Sequence, residues 1–141
     1  MRMAHVQTTL RINTTGEGLY EFSRDAIRFC AESSVRVGVL TVFCRHTSAS
    51  LTIQENADPD VIRDLNNFFK RIVSEDPSLY RHTAEGPDDM PAHIRSALTD
   101  VSLSIPVNDG KPMLGTWQGL YLFEHRTRPH QRNVVLHLSG D

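Results

Sequence analysis

The sequence lacks several features that would narrow its function at once. It holds two cysteines, Cys30 and Cys44, with no CxxC spacing, which excludes a site built on that motif. Cys30 sits on a helical pattern and Cys44 ends an apolar run, so both read as small buried residues. No apolar run approaches the about 18 residues of a membrane span, and no secretory segment opens the chain. A reduced cytoplasmic setting with no membrane partner is therefore expected. Excess positive charge is missing too: 15 Lys and Arg against 17 Asp and Glu give a net charge of -2. That balance argues against a nucleic-acid partner, although Arg126, Arg128 and Arg132 form a local basic patch. There is no HExxH pattern and no glycine-rich phosphate cradle.

What is present is ordinary globular usage, 39% hydrophobic and 23% charged over 141 residues, enough for one core without staples. A single domain spanning 1–141 is expected, since no repeat, linker or low-complexity tract divides the chain.

The stretch 5–13 alternates Val6, Thr8, Leu10 and Ile12 against polar neighbours, which predicts a half-buried strand. From Glu17 to Ser33, Leu19, Phe22, Ala26, Ile27, Phe29 and Cys30 recur at helical spacing. Residues 35–44 and 51–55 read as strands joined through a small-residue turn. Residues 57–73 carry Asp58 as N-cap, Pro59 at the first helical position and Lys70 with Arg71 in the last turn. Val61, Ile62, Leu65, Phe68, Phe69 and Ile72 would be that helix's buried stripe. A third helix begins near Met90, capped by Asp88 or Asp89, with Ile94, Ala97 and Leu98 toward the core. The last third reads as four strands, 102–107, 112–117, 119–125 and 133–138, with Asn108-Asp109-Gly110 as a tight hairpin. Strands joined by short turns pair antiparallel, so the expected class is α+β with a largely antiparallel sheet system arranged as a sandwich.

Four places concentrate groups suited to metal ligation or acid–base work. In "RHTAEGPDDMPAHIR" (81–95), Asp89 and His93 share one helix face and His82 can fold back from the preceding loop. The competing and, on spacing alone, favoured reading is a capped helix with solvated histidines. In "RHTSASLTIQEN" (45–56), His46, Thr47, Ser48 and Ser50 either hold phosphate oxygens or form a self-bonded polar turn. In "GTWQG" (115–119), Trp117 and Gln118 could wall a flat ligand, but core packing of the lone tryptophan is favoured. In "EHRTRPHQR" (124–132), Arg126 could grip a phosphate, against a plain solvated hairpin.

The blocks "HTSASLTIQENADP", "GPDDMPAHIRSAL", "IPVNDG" and "LGTWQGLYLFEHR" together closely resemble the YjbQ family of small bacterial and archaeal proteins. The resemblance implies a jelly-roll-like β-sandwich with about three helices, assembled as a homotrimer with sites between subunits. It also implies a weak thiamine-phosphate synthase activity, joining a pyrimidine diphosphate to a thiazole phosphate with loss of pyrophosphate. On this basis His46, His82 and His93 are expected to converge on a divalent metal, zinc or magnesium. Asp89 would be a fourth ligand or orient the histidines, and Glu55 or Glu124 would orient the pyrimidine. Thr47, Ser48, Trp117, Gln118 and Arg126 would bind a small phosphorylated metabolite. The alternatives are metal-dependent hydrolysis of a phosphorylated metabolite and a non-catalytic trimeric module for a metabolite or metal. The one departure from the family pattern is "RTRPHQR" (126–132), which replaces a glycine-containing turn and adds charge at that rim.

Overall fold

Strand β1 (Ala4–Thr14) pairs antiparallel along its whole length with the last strand, so the two ends of the chain close one side of the molecule. A computed structural model describes residues 3–141. The remaining elements are β2 (Gly18–Glu21), α1 (Ser23–Glu32), β3 (Gly38–Cys44), β4 (Ala49–Glu55), α2 (Pro59–Ile72), α3 (Asp89–Leu98), β5 (Ser102–Asn108), β6 (Lys111–Pro112), β7 (Gln118–Glu124) and β8 (His130–Gly140). A short 3-10 turn at Pro77–Leu79 lies between α2 and α3. The protein is α+β, with every strand pair antiparallel in two sheets ordered β1-β8-β3-β5-β6 and β2-β7-β4.

One apolar core joins the two sheets: Leu40, Val42, Ile105, Leu136 and Leu138 from the first meet Leu51, Leu120 and Leu122 from the second, with Ala26 and Cys30 of α1. Each fully buried leucine contributes about 1.5–3 kcal/mol relative to exposure. On β8 the alternation is complete, with Arg132, Val134, Leu136 and Leu138 inward and their neighbours outward. The predicted hairpin forms, and Asp109 (φ 52°) and Gly110 (φ 73°) adopt the left-handed pair that a two-residue turn requires.

Several expectations are corrected. The first helix starts at Ser23 rather than near Glu17, because Leu19 and Tyr20 belong to β2 and pair with Phe123 and Leu122 of β7. Residues 112–117 are not a strand beyond Pro112; Gln118 bonds back to Gly115 and closes a turn there. Trp117 stands in that turn and is 62% exposed, not core. No residue of α2 is fully buried, and Phe68 and Ile72 of its apolar stripe are 44% and 50% exposed. On α3 the buried face is Asp89, Pro91, Ala92, Arg95 and Ser96, while Leu98 is 58% exposed. The helix therefore buries three polar residues beside Pro91 and Ala92, a mixed face that apolar periodicity does not detect.

That packing positions the site. Ser96 Oγ donates to Ala49 O (2.9 Å) and Thr99 Oγ1 to Ser50 Oγ (2.6 Å), fixing α3 over the start of β4. Just past the helix, Leu51 N bonds Asp100 O and Cys44 N bonds Val101 O, so one short segment is sewn to both sheets.

Candidate metal centre

The centre forms where α3 begins. Asp89 opens the helix and His93 follows one turn later on the same face. His82 arrives from the preceding loop, which is shaped by a turn from Thr83 to Gly86. Gly86 has φ 105°, a conformation that side chains rarely adopt, and this bend returns the chain so that His82 lies over Asp89.

His82 Nε2 is 2.6 Å and His93 Nε2 3.2 Å from Asp89 Oδ2, and the three ligand-type atoms lie within 4.8 Å of one another. The imidazole rings meet edge to face, with centroids 5.3 Å apart. Asp89 is buried, whereas His82 and His93 reach the surface, so the cluster opens to solvent on its histidine side.

Two contacts define the chemistry. His93 Nδ1 lies 2.8 Å from Thr47 O. A carbonyl oxygen only accepts, so Nδ1 carries a proton, and the other ring nitrogen, Nε2, is turned toward Asp89. On the other side, Arg126 Nη1 donates to Asp89 Oδ1 at 2.8 Å. Burial works against the Asp89 charge, but the His82 hydrogen bond and the Arg126 charge hold its carboxyl below the usual range. A lone pair facing a carboxylate oxygen at 3.2 Å is stable with either a proton or a cation between them.

The donor set fits a cation. Two imidazoles and a carboxylate match zinc rather than the all-oxygen shell preferred by magnesium. The 3.2 Å separation is close to the about 3.3 Å edge of a tetrahedral zinc site with bonds of about 2.0 Å. The 2.6 Å His82 contact is too short for such an edge, and His82 stands on an exposed loop with room to withdraw.

The other expected residues are placed differently. His46 is outside the cluster; its Nε2 accepts the Asn133 N–H at 2.7 Å, which uses the lone pair a metal would need. Thr47 contributes its carbonyl, not its hydroxyl. Ser48 Oγ accepts from Arg132 Nη2 at 3.0 Å and is buried, so it offers no open phosphate cradle. Arg126 is not a free phosphate grip: its fork holds Asp88 Oδ2 (Nε, 2.9 Å), Asp89 Oδ1 and Glu85 O (Nη2, 3.0 Å). Asp88 is not a side-chain cap; its Oδ2 also accepts from Thr127 N and Oγ1. Glu124 is fully buried in an ion pair with Arg132, supported by Thr14 Oγ1. The Arg132 partner was not anticipated, because nothing in a surface-looking basic run marks one arginine as buried.

Glu55, Trp117 and Gln118 stand at the opposite end of the small sheet. Ala49 pairs with Glu124 at one end of the β4–β7 ladder and Glu55 with Gln118 at the other. Six residue steps of about 3.4 Å separate the ends by about 20 Å. Glu55 there receives the Asp58 N–H, and the Gln118 amide oxygen receives the Gly115 N–H.

The same blocks carry the kinship. A family described as "UPF0047 protein YjbQ-like" matches residues 8–141. The chain belongs to the YjbQ family. A UPF0047 protein of Synechocystis is 56% identical over 135 residues, covering 96% of this chain and 92% of its own. YjbQ of Escherichia coli is 39% identical over 136 residues, covering 96% and 98%. The crystal structure of a YbjQ-like protein of unknown function from Sulfolobus solfataricus superposes with a TM-score of 0.91 over 99% of this chain and 100% of its own, at 19% identity, a likeness of fold alone. A yjbq/upf0047 protein from Clostridium acetobutylicum has a TM-score of 0.79 at 34% identity, covering 92% and 97%.

These relatives overturn the expected thiamine-phosphate synthase activity. The matched family and its members are described without that reaction, and the Sulfolobus protein is described as of unknown function. The geometry agrees: within one YjbQ chain the groups assigned to pyrimidine and phosphate lie at opposite sheet ends or are engaged in internal bonds. Among the described residues no helix is long and apolar enough to cross a membrane.

Proposed function

We propose that this YjbQ protein binds one divalent cation of the zinc type through His82, Asp89 and His93 and presents it to small molecules arriving from solvent. The observation that carries this reading is the His93 ring, whose Nδ1–H is committed to Thr47 O while Nε2 faces the ionised Asp89. A carbonyl that fixes the tautomer of a histidine is the usual support behind a metal ligand.

A cation held there would supply Lewis-acid polarisation of a bound oxygen group. The chain's own residues do the rest. Thr47 O keeps the His93 lone pair pointed inward, and α3 keeps His93 one turn from Asp89. His82, 45% exposed on its loop, is the ligand free to adjust. Arg126 and Ser48 are engaged in internal bonds, and the reading does not require either to clasp a phosphate.

The same reading includes a jelly-roll-like sandwich, supported by the core shared between the two sheets. It also includes a cytoplasmic setting, supported by two buried, unpaired cysteines, and a homotrimer. The trimer is supported by the exposed Phe68, Ile72 and Leu98 side chains. Light scattering that gives a mass other than three chains would remove it.

The experiment for the metal is elemental analysis of the purified protein after zinc loading and desalting. One zinc per chain in the wild type, lost in His93→Ala and Asp89→Asn, is expected. Zinc retained in full by both variants would refute the ligand set.

A further inference from the structure

Asp89 has two carboxylate oxygens, but only one is available. Oδ1 accepts from Arg126 Nη1 at 2.8 Å, while Oδ2 faces both histidines. The guanidinium is itself held on two further sides, by Asp88 Oδ2 at 2.9 Å and by Glu85 O at 3.0 Å. Asp88 in turn receives the Thr127 N–H at 3.0 Å, so the arginine is locked between α3, its leading loop and the segment after β7. Asp88, Asp89 and Arg126 are all largely removed from solvent.

We propose that Arg126 is a positioning residue that sets which metal this site accepts. By holding Asp89 Oδ1, it restricts the carboxylate to one-oxygen coordination through Oδ2. Calcium needs six to eight oxygens and draws on two-oxygen carboxylate binding, whereas magnesium requires an octahedral oxygen shell. Neither can be completed from one oxygen and two imidazoles, but a zinc-type ion accepts that set with a solvent position left over. Arg126 also offsets one of the two adjacent negative charges, which weakens the attraction for hard cations that respond chiefly to charge. A lysine cannot replace it, because a point ammonium cannot bridge Asp88 and Asp89 as the planar fork does.

This inference rests on the metal reading above, and the experiment separates the two. Zinc binding to the full chain is measured by competition with a chromophoric chelator, alone and with excess calcium or magnesium. X-ray absorption at the zinc edge then reports the carboxylate mode. For the wild type the expectation is one zinc, undisturbed by calcium or magnesium, with a single carboxylate oxygen in the shell. Arg126→Gln and Arg126→Lys should each weaken zinc about 10- to 100-fold, admit calcium as a competitor and add a second carboxylate oxygen. Zinc affinity and selectivity unchanged in both variants would overturn the role of Arg126 while leaving the metal site standing. A wild type that binds no zinc would overturn both. Should the variants fail to fold, the wild-type spectrum decides alone, because two-oxygen coordination by Asp89 there contradicts the proposal.

Discussion

Replacing Arg132 with methionine strands the Glu124 carboxylate, which lies fully buried at the end of β7 beside the segment that carries Arg126. In the wild type Glu124 Oε1 accepts from Arg132 Nε (2.7 Å) and Thr14 Oγ1 (2.7 Å). Its Oε2 accepts from Arg132 Nη2 and from the backbone N–H groups of His125 and Arg126. Burial raises the Glu124 pKa, but the Arg132 and Thr14 hydrogen bonds outweigh it and hold the carboxyl below its ordinary value. Without Arg132 the remaining donors are neutral and the charge has no partner, a change that costs about 3–5 kcal/mol. With an unfolding entropy of about 2.1 cal/mol/K per residue, the 141-residue chain should melt about 10–17 °C lower. The pH dependence identifies the cause. In Arg132→Met the folded-state pKa of Glu124 rises above its unfolded value, so the folded state holds the extra proton and stability falls as pH rises between the two. Thermal melts followed by circular dichroism should therefore show a gap from wild type that is wide at neutral pH and narrows in acid. The double change Arg132→Met with Glu124→Gln should recover much of the loss. A loss below about 1 kcal/mol, which is typical of exposed pairs, or a gap independent of pH, would refute the reasoning.

Three further outcomes follow from the same contacts. Asp88 is held at about 2: burial opposes its charge, but Arg126 and Thr127 overcome it. The stability it adds is complete above 3.8 and lost as pH falls through about 2, so Asp88→Asn should flatten the acid limb of an unfolding-versus-pH curve. Asp58 accepts the Asp60 N–H at 2.9 Å as the cap of α2, and Asp58→Ala should cost about 1 kcal/mol in urea denaturation. His46→Ala should leave zinc stoichiometry unchanged, in contrast with His93→Ala, since the His46 Nε2 is spent on a backbone N–H.

Much of the fold was legible where the sequence encodes one structural fact per residue. Alternation drew β1, Asp58 with Pro59 marked the start of α2, and Asn108-Asp109-Gly110 marked the hairpin. Reading failed where a residue served two patterns. Leu19 continues the apolar spacing of α1, yet lies in β2 with Tyr20, because pairing with β7 is a long-range event. On α3 the expected apolar residues Ala97 and Leu98 face outward, since Arg95, Ser96 and Asp89 find partners inside that no periodicity reveals. In the site, the spacing of four puts Asp89 and His93 on one helix face, but spacing alone favours a capped helix with solvated histidines, and only the family blocks taken together point to His82, Asp89 and His93 as a ligand set. His46 is expected there too but lies outside the cluster, and its neighbour Thr47 supplies the contact instead, through a main-chain carbonyl that carries no residue-type signal. Arg126 was read as a group awaiting an anion, and its anions proved to be Asp88 and Asp89 of the same chain.

The central claim is the location of the cation, and anomalous diffraction from zinc-soaked crystals of the full chain at the zinc edge tests it directly. The account predicts one strong peak bounded by His82 Nε2, Asp89 Oδ2 and His93 Nε2. No peak there, or the main peak at His46, would contradict it.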